Sequence, residues 1–257
     1  MASVTARGLH GMPEVRAGDD LAALIVAALA GRELRDGHLL AIAHKVVSKA
    51  EGAVVDLVDV APRARARELA ARVSSEGAMR KDPREVQVVL DECAELLRCQ
   101  RGVLICRTRH GFVCANAGVD ASNAPSPGSL VLLPRDPDAS ARRIRARLRE
   151  LTGAAPAVLI SDSFGRPWRH GQLDVAIGLA GMRALDDWRG RTDSAGRTLH
   201  ATWIAVADQA AAIAELARAK DSRQPVVLID GLERHIASDD GPGAAALLRP
   251  AAEDLFR

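Results

Sequence analysis

Three Phe, three Trp and no Tyr are all the aromatic side chains that this chain of 257 residues offers. Its core must therefore come mainly from Ala, Val, Leu and Ile. The same shortage argues against a stacking platform for single-stranded nucleic acid. Charge points the same way: 35 basic against 33 acidic residues leave a net +2, too little for a strong polyanion binder. No apolar run approaches the ~20 residues that span a bilayer. The opening MASVTARGLHGMPEV has no apolar signal region, so a reducing cytoplasm is the expected setting. Cys93, Cys99, Cys106 and Cys114 form no C-x-x-C pair and read as small buried hydrophobes.

The chain alternates apolar stretches with polar punctuation. AGDDLAALIVAALAGREL reads as a helix capped by Asp19 or Asp20, and DGHLLAIAHK as a turn and buried strand. VVDLVDVAP is strand-like. Residues 62–79 suit a solvated basic helix, and PREVQVVLDECAELLRC a second helix. GVLICRT, RHG and FVCAN suggest a β-hairpin, and LVLLP a strand. DPDASARRIRARLRELTG is a well-signalled helix; its Arg142, Arg143, Arg145, Arg147 and Arg149 suit a solvated, ion-paired face better than a basic patch. AAPAVLIS reads as a strand, DSFGRPWRHGQ as a polar loop and VAIGLAGMRAL as a buried helix. HATWIAVA suggests a strand, DQAAAIAELARAK a helix, PVVLIDGL a final strand, and SDDGPGAAALLRPAAEDLF a turn-rich and then helical end. The order has no strict βαβ repeat. The expected class is α+β or mixed α/β, one domain over 1–257 with two intertwined subdomains as a variant.

Familiar nucleotide and hydrolase signatures are missing. There is no G-x-x-x-x-G-K-[ST] P-loop and no G-x-S-x-G elbow. Gly241, Gly243 and Ala246 fit G-x-G-x-x-A, but no strand leads into them, so they make no Rossmann fingerprint.

Two polar loops leave predicted buried strands, the place where open sheets collect ligands. One holds Asn116, Asp120, Ser122 and Asn123; the other begins Asp162, Ser163, Gly165, Arg166. Asp120 and Asp162, with Ser163 beside them, suit a hard divalent cation that keeps water and phosphate in its other positions. The competing reading is that these side chains only close Asx turns. Lys45 and Lys49 are half of the lysines in a chain that otherwise uses Arg, and two ammonium groups four residues apart could face phosphates. Chance retention is the alternative. GMPEV is by itself only a turn.

In order, GMPEVRAGDDLAALI, HKVVSKAEG, FVCANAGVDASN and ISDSFGRPWRHGQLDVAIGLAG resemble the coenzyme F420-0:γ-glutamyl ligase family, from about residue 8 to the end of the chain. NAGVDxSN followed by D-[ST]-x-G-R-x-W-R-x-G-Q is a specific combination. The resemblance implies that family's mixed α/β fold and a homodimer, with no nucleic-acid or membrane partner. It implies that GTP phosphorylates the terminal carboxylate of the deazaflavin precursor F420-0, and that the amine of L-glutamate attacks the acyl phosphate. Further γ-linked glutamate can follow. Mg²⁺ or Mn²⁺, as two divalent ions, and K⁺ belong to the same expectation. The nitroreductase-like domain that follows in some relatives is not expected here.

By the same resemblance Asp120, Asp162 and Ser163 are metal ligands, and Met12, Pro13, Glu14, Val15, Lys49 and Asn123 contact the nucleotide. His44 stands where relatives often have Ser or another small polar residue, so its place in the nucleotide set carries over less directly. Asp208 and Gln209, at a predicted strand end, are further metal and nucleotide candidates. Arg166 and Arg169 suit either a substrate anion or pairing with Asp174; Trp168 suits packing better than walling the deazaflavin. His110 and His170 lack partners spaced for acid–base work, and no general base is legible. Rival readings are a same-fold amide ligase for another carboxylate, a nucleotide-binding regulator without turnover, and a nucleic-acid module resting on the Arg-rich helix.

Overall fold

A computed structural model describes residues 3–76 and 80–254. In chain order the elements are β1 (Thr5–Gly8), α1 (Leu21–Ala28), β2 (Leu39–Ala43), α2 (His44–Ala50), β3 (Val54–Asp56), α3 (Ala64–Glu76) and α4 (Pro83–Glu92). Then come β4 (Cys93–Gln100), β5 (Val103–Thr108), β6 (Val113–Ala115), β7 (Ser129–Val131), α5 (Pro137–Thr152), β8 (Ala157–Arg166) and β9 (Arg169–Ala180). β10 (Asp186–Asp187), β11 (Trp203–Ile204), α6 (Val206–Ala217) and β12 (Val226–Asp230) complete the set. The class is α+β, as the sequence suggested.

A five-stranded sheet in the order β1-β12-β2-β8-β9 organises the molecule. Only β2 and β8 run parallel, with Leu40 opposite Val158 and Ile42 opposite Ile160; their neighbours are antiparallel. LLAIA is apolar throughout because both faces of β2 are covered. Leu40, Ile42, Val158 and Ile160 meet α1 and α5 on one side. Leu39, Ala41 and Leu159 meet Val206, Ala207 and Ala210 of α6 on the other. Small side chains let these layers approach closely. A Cβ on Gly178 of β9 would stand 2.4 Å from the Pro137 carbonyl oxygen at the start of α5. A separate core joins α3 and α4 to the β4-β5-β6 sheet through Val73, Val86, Leu104 and Cys106.

Local signals place several helix termini. Asp20 and Asp136 accept the Ala23 and Ala139 amides at the starts of α1 and α5, and Gly153 ends α5 at φ +79°. The β5–β6 hairpin forms as expected, with Cys106 opposite Cys114 and Gly111 at φ +93° in its turn. Cys99, Cys106 and Cys114 are buried, and Cys93 partly so. Burial pushes the Cys114 thiol up to about 12. The Arg-rich helix is ion-paired: Arg143 to Glu51, Arg147 to Asp20 and Glu150. Arg145 turns inward to Asp240 and the Pro156 and Ala237 carbonyls.

Several expectations are corrected. The first six residues of VAIGLAGMRAL, 175–180, end β9 instead of forming a helix, and DSFGRPWRHGQ is no loop but the two arms of the β8–β9 hairpin, in register from Asp162 opposite Val175 to Gly165 opposite Gln172, with a shift before Arg166 meets Arg169. Helices cover the inner half of β9 on both faces, so its apolar run loses the alternation that marks a strand. The helix from Pro83 stops at Glu92 because Cys93–Gln100 pairs with β5. The strand in HATWIAVA shrinks to Trp203–Ile204, and α6 starts at Val206. The end of the chain makes 3₁₀ turns at Ala244–Leu247 and Ala251–Glu253; residues 255–256 of the expected helix lie outside the described residues. Residues 77–79 of the expected 62–79 helix also lie outside them. Among the described residues, no helix is long and apolar enough to cross a membrane.

Candidate active site

The carboxyl ends of the parallel pair β2 and β8 open on a cleft of about 1090 Å³. Strand ends of this kind are where loops converge and ligands collect. Four further segments close around them: the irregular stretch 12–15 (not the turn expected), α2, the loop after β6, and residues 218–225 between α6 and β12.

α2 follows β2 directly and carries HKVVSKA. Lys45 and Lys49, one turn apart, project together into the cleft. Lys49 is buried and its ammonium meets the Glu14 carboxylate, whose side chain is largely exposed. A buried ammonium needs an anion beside it, and the GMPEV segment supplies one. Lys45 reaches Asp120 Oδ2 at 2.6 Å and Ser122 Oγ at 2.5 Å.

Asp120 owes its position to strained backbone. Asn116, Ala117 and Gly118 all take positive φ (51°, 54° and 74°), and Asn123 does so at 56°. Gly is at ease there and Asn tolerates it, but Ala is not; such strain costs on the order of 1 kcal/mol and gathers at functional sites. Asp120 then bridges back to Val131 through its backbone and accepts the Ser122 amide at 2.7 Å. Burial pushes its carboxyl up, but the Lys45 ammonium and the Ser122 donors outweigh that and hold it below the usual carboxylate value.

Asp162 and Ser163 lie within β8, just past its parallel pairing with β2, in the opposite wall. Asp162 Oδ1 accepts the Ser163 amide at 2.8 Å and lies 3.2 Å from His44 Nε2, out of line for a hydrogen bond. Ser163 Oγ donates to Asp174 Oδ1 and accepts from Lys220 Nζ, both at 2.6 Å. Asp174, across the hairpin, is buried and paired with Arg218 at 2.5 Å; Ser161 donates to the same Oδ2 at 3.0 Å. Burial raises the Asp174 carboxyl, yet Ser163, Arg218 and Ser161 bring it below the ordinary value. Arg218 Nη1 also donates to the Pro225 carbonyl at 3.0 Å, so this pair ties the 218–225 loop to the sheet.

Met12, Pro13, Glu14, Val15, His44, Lys49, Asp120, Asn123, Asp162 and Ser163 thus line one cleft, as a shared site requires. Asp208 and Gln209 do not join them. A register shift in β8–β9 skips Ile177, and Asp208 Oδ1 accepts the Ala176 amide at 3.0 Å on the sheet face covered by α6. Burial there raises its carboxyl. Arg166 and Arg169 do not pair with Asp174: Arg166 donates to the His170 carbonyl at 2.5 Å, and Arg218 takes the Asp174 position. Trp168 is not packed in the core but sits at the hairpin tip, 81% exposed. His110 stacks on Phe112 outside the cleft. Glu215 and the cationic run Arg218, Lys220, Arg223 also line the cleft and were missed, and Asp174 was named only as a partner for Arg166 or Arg169. The density of charge just before an apolar strand was their signal.

Among the described residues no three His, Cys, Asp or Glu side chains converge to hold a metal ion. Protein atoms alone therefore close no coordination shell. Two carboxylates and a hydroxyl around open space do fit Mg²⁺, which binds through few protein ligands and leaves its remaining positions to water and phosphate.

The family pattern described as F420-0:γ-glutamyl ligase matches residues 11–231, a span holding every part of this cleft. The chain belongs to that family. Within the F420-0:γ-glutamyl ligases, a relative from Methanothermobacter thermautotrophicus named coenzyme F420:L-glutamate ligase is 44% identical over 254 residues, covering 97% of each chain. One of the same name from Methanopyrus kandleri is 46% identical over 246 residues, 95% of this chain and 94% of its own. A third, from Methanocaldococcus jannaschii, is 41% identical over 225 residues.

Proposed function

We propose that this chain is a GTP- and metal-dependent ligase that joins the amine of L-glutamate to the terminal carboxylate of F420-0, and then adds γ-linked glutamate. The observation that carries this reading is the cleft itself. It sets Asp120, Asp162 and Ser163 against Lys45, Lys49, Lys220 and Arg223 in one open space.

A carboxylate resists amide formation because its oxygen leaves poorly, and phosphorylation removes that obstacle. A bound divalent ion supplies neutralisation of charge on the transferring phosphoryl group. Asp162, Ser163 and Asp120 would hold it. Lys45 bonds Asp120 and Lys220 bonds Ser163. Both ammonium groups would exchange these carboxylate and hydroxyl partners for the oxygens of a bound nucleotide's phosphates. Lys49 can likewise trade Glu14 for a phosphate without losing a counter-charge. The walls bring nucleotide, precursor and glutamate together, turning a three-body encounter into a positioned reaction. Excluding water protects the acyl phosphate.

Mass spectrometry of purified protein with F420-0, L-glutamate, GTP and Mn²⁺ tests the proposal. Product masses spaced by glutamyl units are expected, with one GDP and one phosphate per amide. Absence of product from F420-0, with turnover of another carboxylic acid, would reassign the acceptor. Phosphate release at background with every substrate present would overturn the ligase reading.

A further inference from the structure

His44 is 2% exposed, yet its Nε2 has no hydrogen-bond partner. A buried imidazole nitrogen left in this way costs about 1–3 kcal/mol unless something outside the protein satisfies it. The ring is the first residue of α2 and lines the cleft. Its Nδ1 faces Ser48 Oγ at 3.4 Å, within the same helix.

The carboxylate beside it is also short of a partner. Lys45 compensates Asp120, Lys49 compensates Glu14 and Arg218 compensates Asp174. Among the described residues Asp162 pairs with no lysine or arginine; its one charged-group contact is His44 Nε2, 3.2 Å from Oδ1. Its side chain is 15% exposed, on the cleft side. With Nδ1 protonated towards Ser48, Nε2 presents a lone pair next to carboxylate lone pairs. That is an arrangement a cation resolves. A ligating histidine typically has its other ring nitrogen hydrogen-bonded in this way.

We propose that His44 Nε2 and the Asp162 carboxylate together form a nitrogen–oxygen ligand pair for the divalent ion of this cleft. The inference rests on the proposed metal dependence and adds a ligand to it. It also has a consequence that a site with oxygen donors alone would not show. Imidazole favours Mn²⁺, and Co²⁺ more strongly, over Mg²⁺. The pair is incomplete as a cage, which leaves positions for water and phosphate oxygens and accords with the lack of any three-residue cluster among the described residues.

The experiment is metal binding by the full chain, with Mn²⁺, Co²⁺ and Mg²⁺ added alone and with GDP. Wild type, His44→Ser, His44→Gln and Asp162→Asn are compared by calorimetry. Spin-echo modulation of bound Mn²⁺ reports coordinated nitrogen. Wild-type protein should show ¹⁴N modulation, absent in both His44 variants. Their Co²⁺ and Mn²⁺ affinities should fall on the order of tenfold or more, while Mg²⁺ affinity moves far less. His44→Gln keeps most of the side-chain volume, so a packing role alone would leave its metal preference unchanged. Nitrogen modulation that persists in His44→Gln, or an equal loss for all three metals, overturns the proposal. If Asp162→Asn loses metal while the His44 variants do not, the metal site stands and the histidine ligand falls. If wild type binds no divalent ion under either condition, both readings fall.

Discussion

Asp174→Asn is the sharpest test of how this cleft is held. The carboxylate is 3% exposed and its Arg218 partner 11%, with the guanidinium at 2.5 Å from Oδ2. Ser161 and Ser163 complete the contacts to the two oxygens. Asn keeps the volume but strips the counter-charge from a guanidinium that stays buried. Removing one member of a buried pair costs about 3–5 kcal/mol. At about 2–4 °C per kcal/mol for a chain of this size, the melting midpoint should fall by roughly 6–20 °C. The penalty also has a pH signature. The native Asp174 pKa is depressed below the ordinary value of 3.8, so the native state binds fewer protons than the unfolded chain. The pair's contribution is complete above 3.8 and is lost as pH falls through the native pKa. Urea unfolding at pH 7 should therefore show the full gap between wild type and variant, narrowing as pH is lowered towards 3. Asp174→Leu combined with Arg218→Met should recover much of the loss, since no charge is then stranded. A gap under about 1 kcal/mol at pH 7, or one constant across that range, would refute the reasoning.

Asp162→Ala and Asp120→Ala should each abolish glutamyl transfer, scored by product mass, with circular dichroism unchanged; residual turnover near wild type contradicts the metal assignment. Lys49→Ala should weaken GTP binding in calorimetry more than F420-0 binding, and equal losses would make Lys49 a structural residue. Gly178→Ala forces a methyl group against the Pro137 backbone and should destabilise by about 1–3 kcal/mol in urea; an unchanged midpoint would show that α5 can lift off β9 freely.

Most of the cleft was legible because its polar residues follow closely on apolar runs, on α2, in the polar half of β8 and after β6. Asp120 and Asp162 are 42 positions apart, and nothing local says that they face each other. That follows from β8 pairing with β2 up to Ser161, which sets Asp162 beside the start of α2. Residues 218–225 escaped notice because their charges look like a helix end running into solvent. The Asp174–Arg218 pair turns them into a wall. Asp208 misled for the opposite reason: an acid at a strand end looks available, but a skipped residue in β9 leaves the Ala176 amide for it to cap.

By itself the sequence determined whatever a few neighbouring residues can enforce. Asp20 and Asp136 start helices, Gly153 stops one, and apolar stretches such as LLAIA and VVLID can only be buried. The aromatic shortage likewise fixed an aliphatic core, and the sheet is indeed lined by Leu, Ile, Val and Ala. Tertiary structure alone decided that residues 169–180 are a strand, where cysteine-bearing β4 takes over from α4, and which acids meet a lysine and which do not. The physical reason is range. Caps and turns are settled by contacts over three or four positions. Strand pairing, and the charge left uncompensated at Asp162, depend on groups brought together from more than a hundred residues apart.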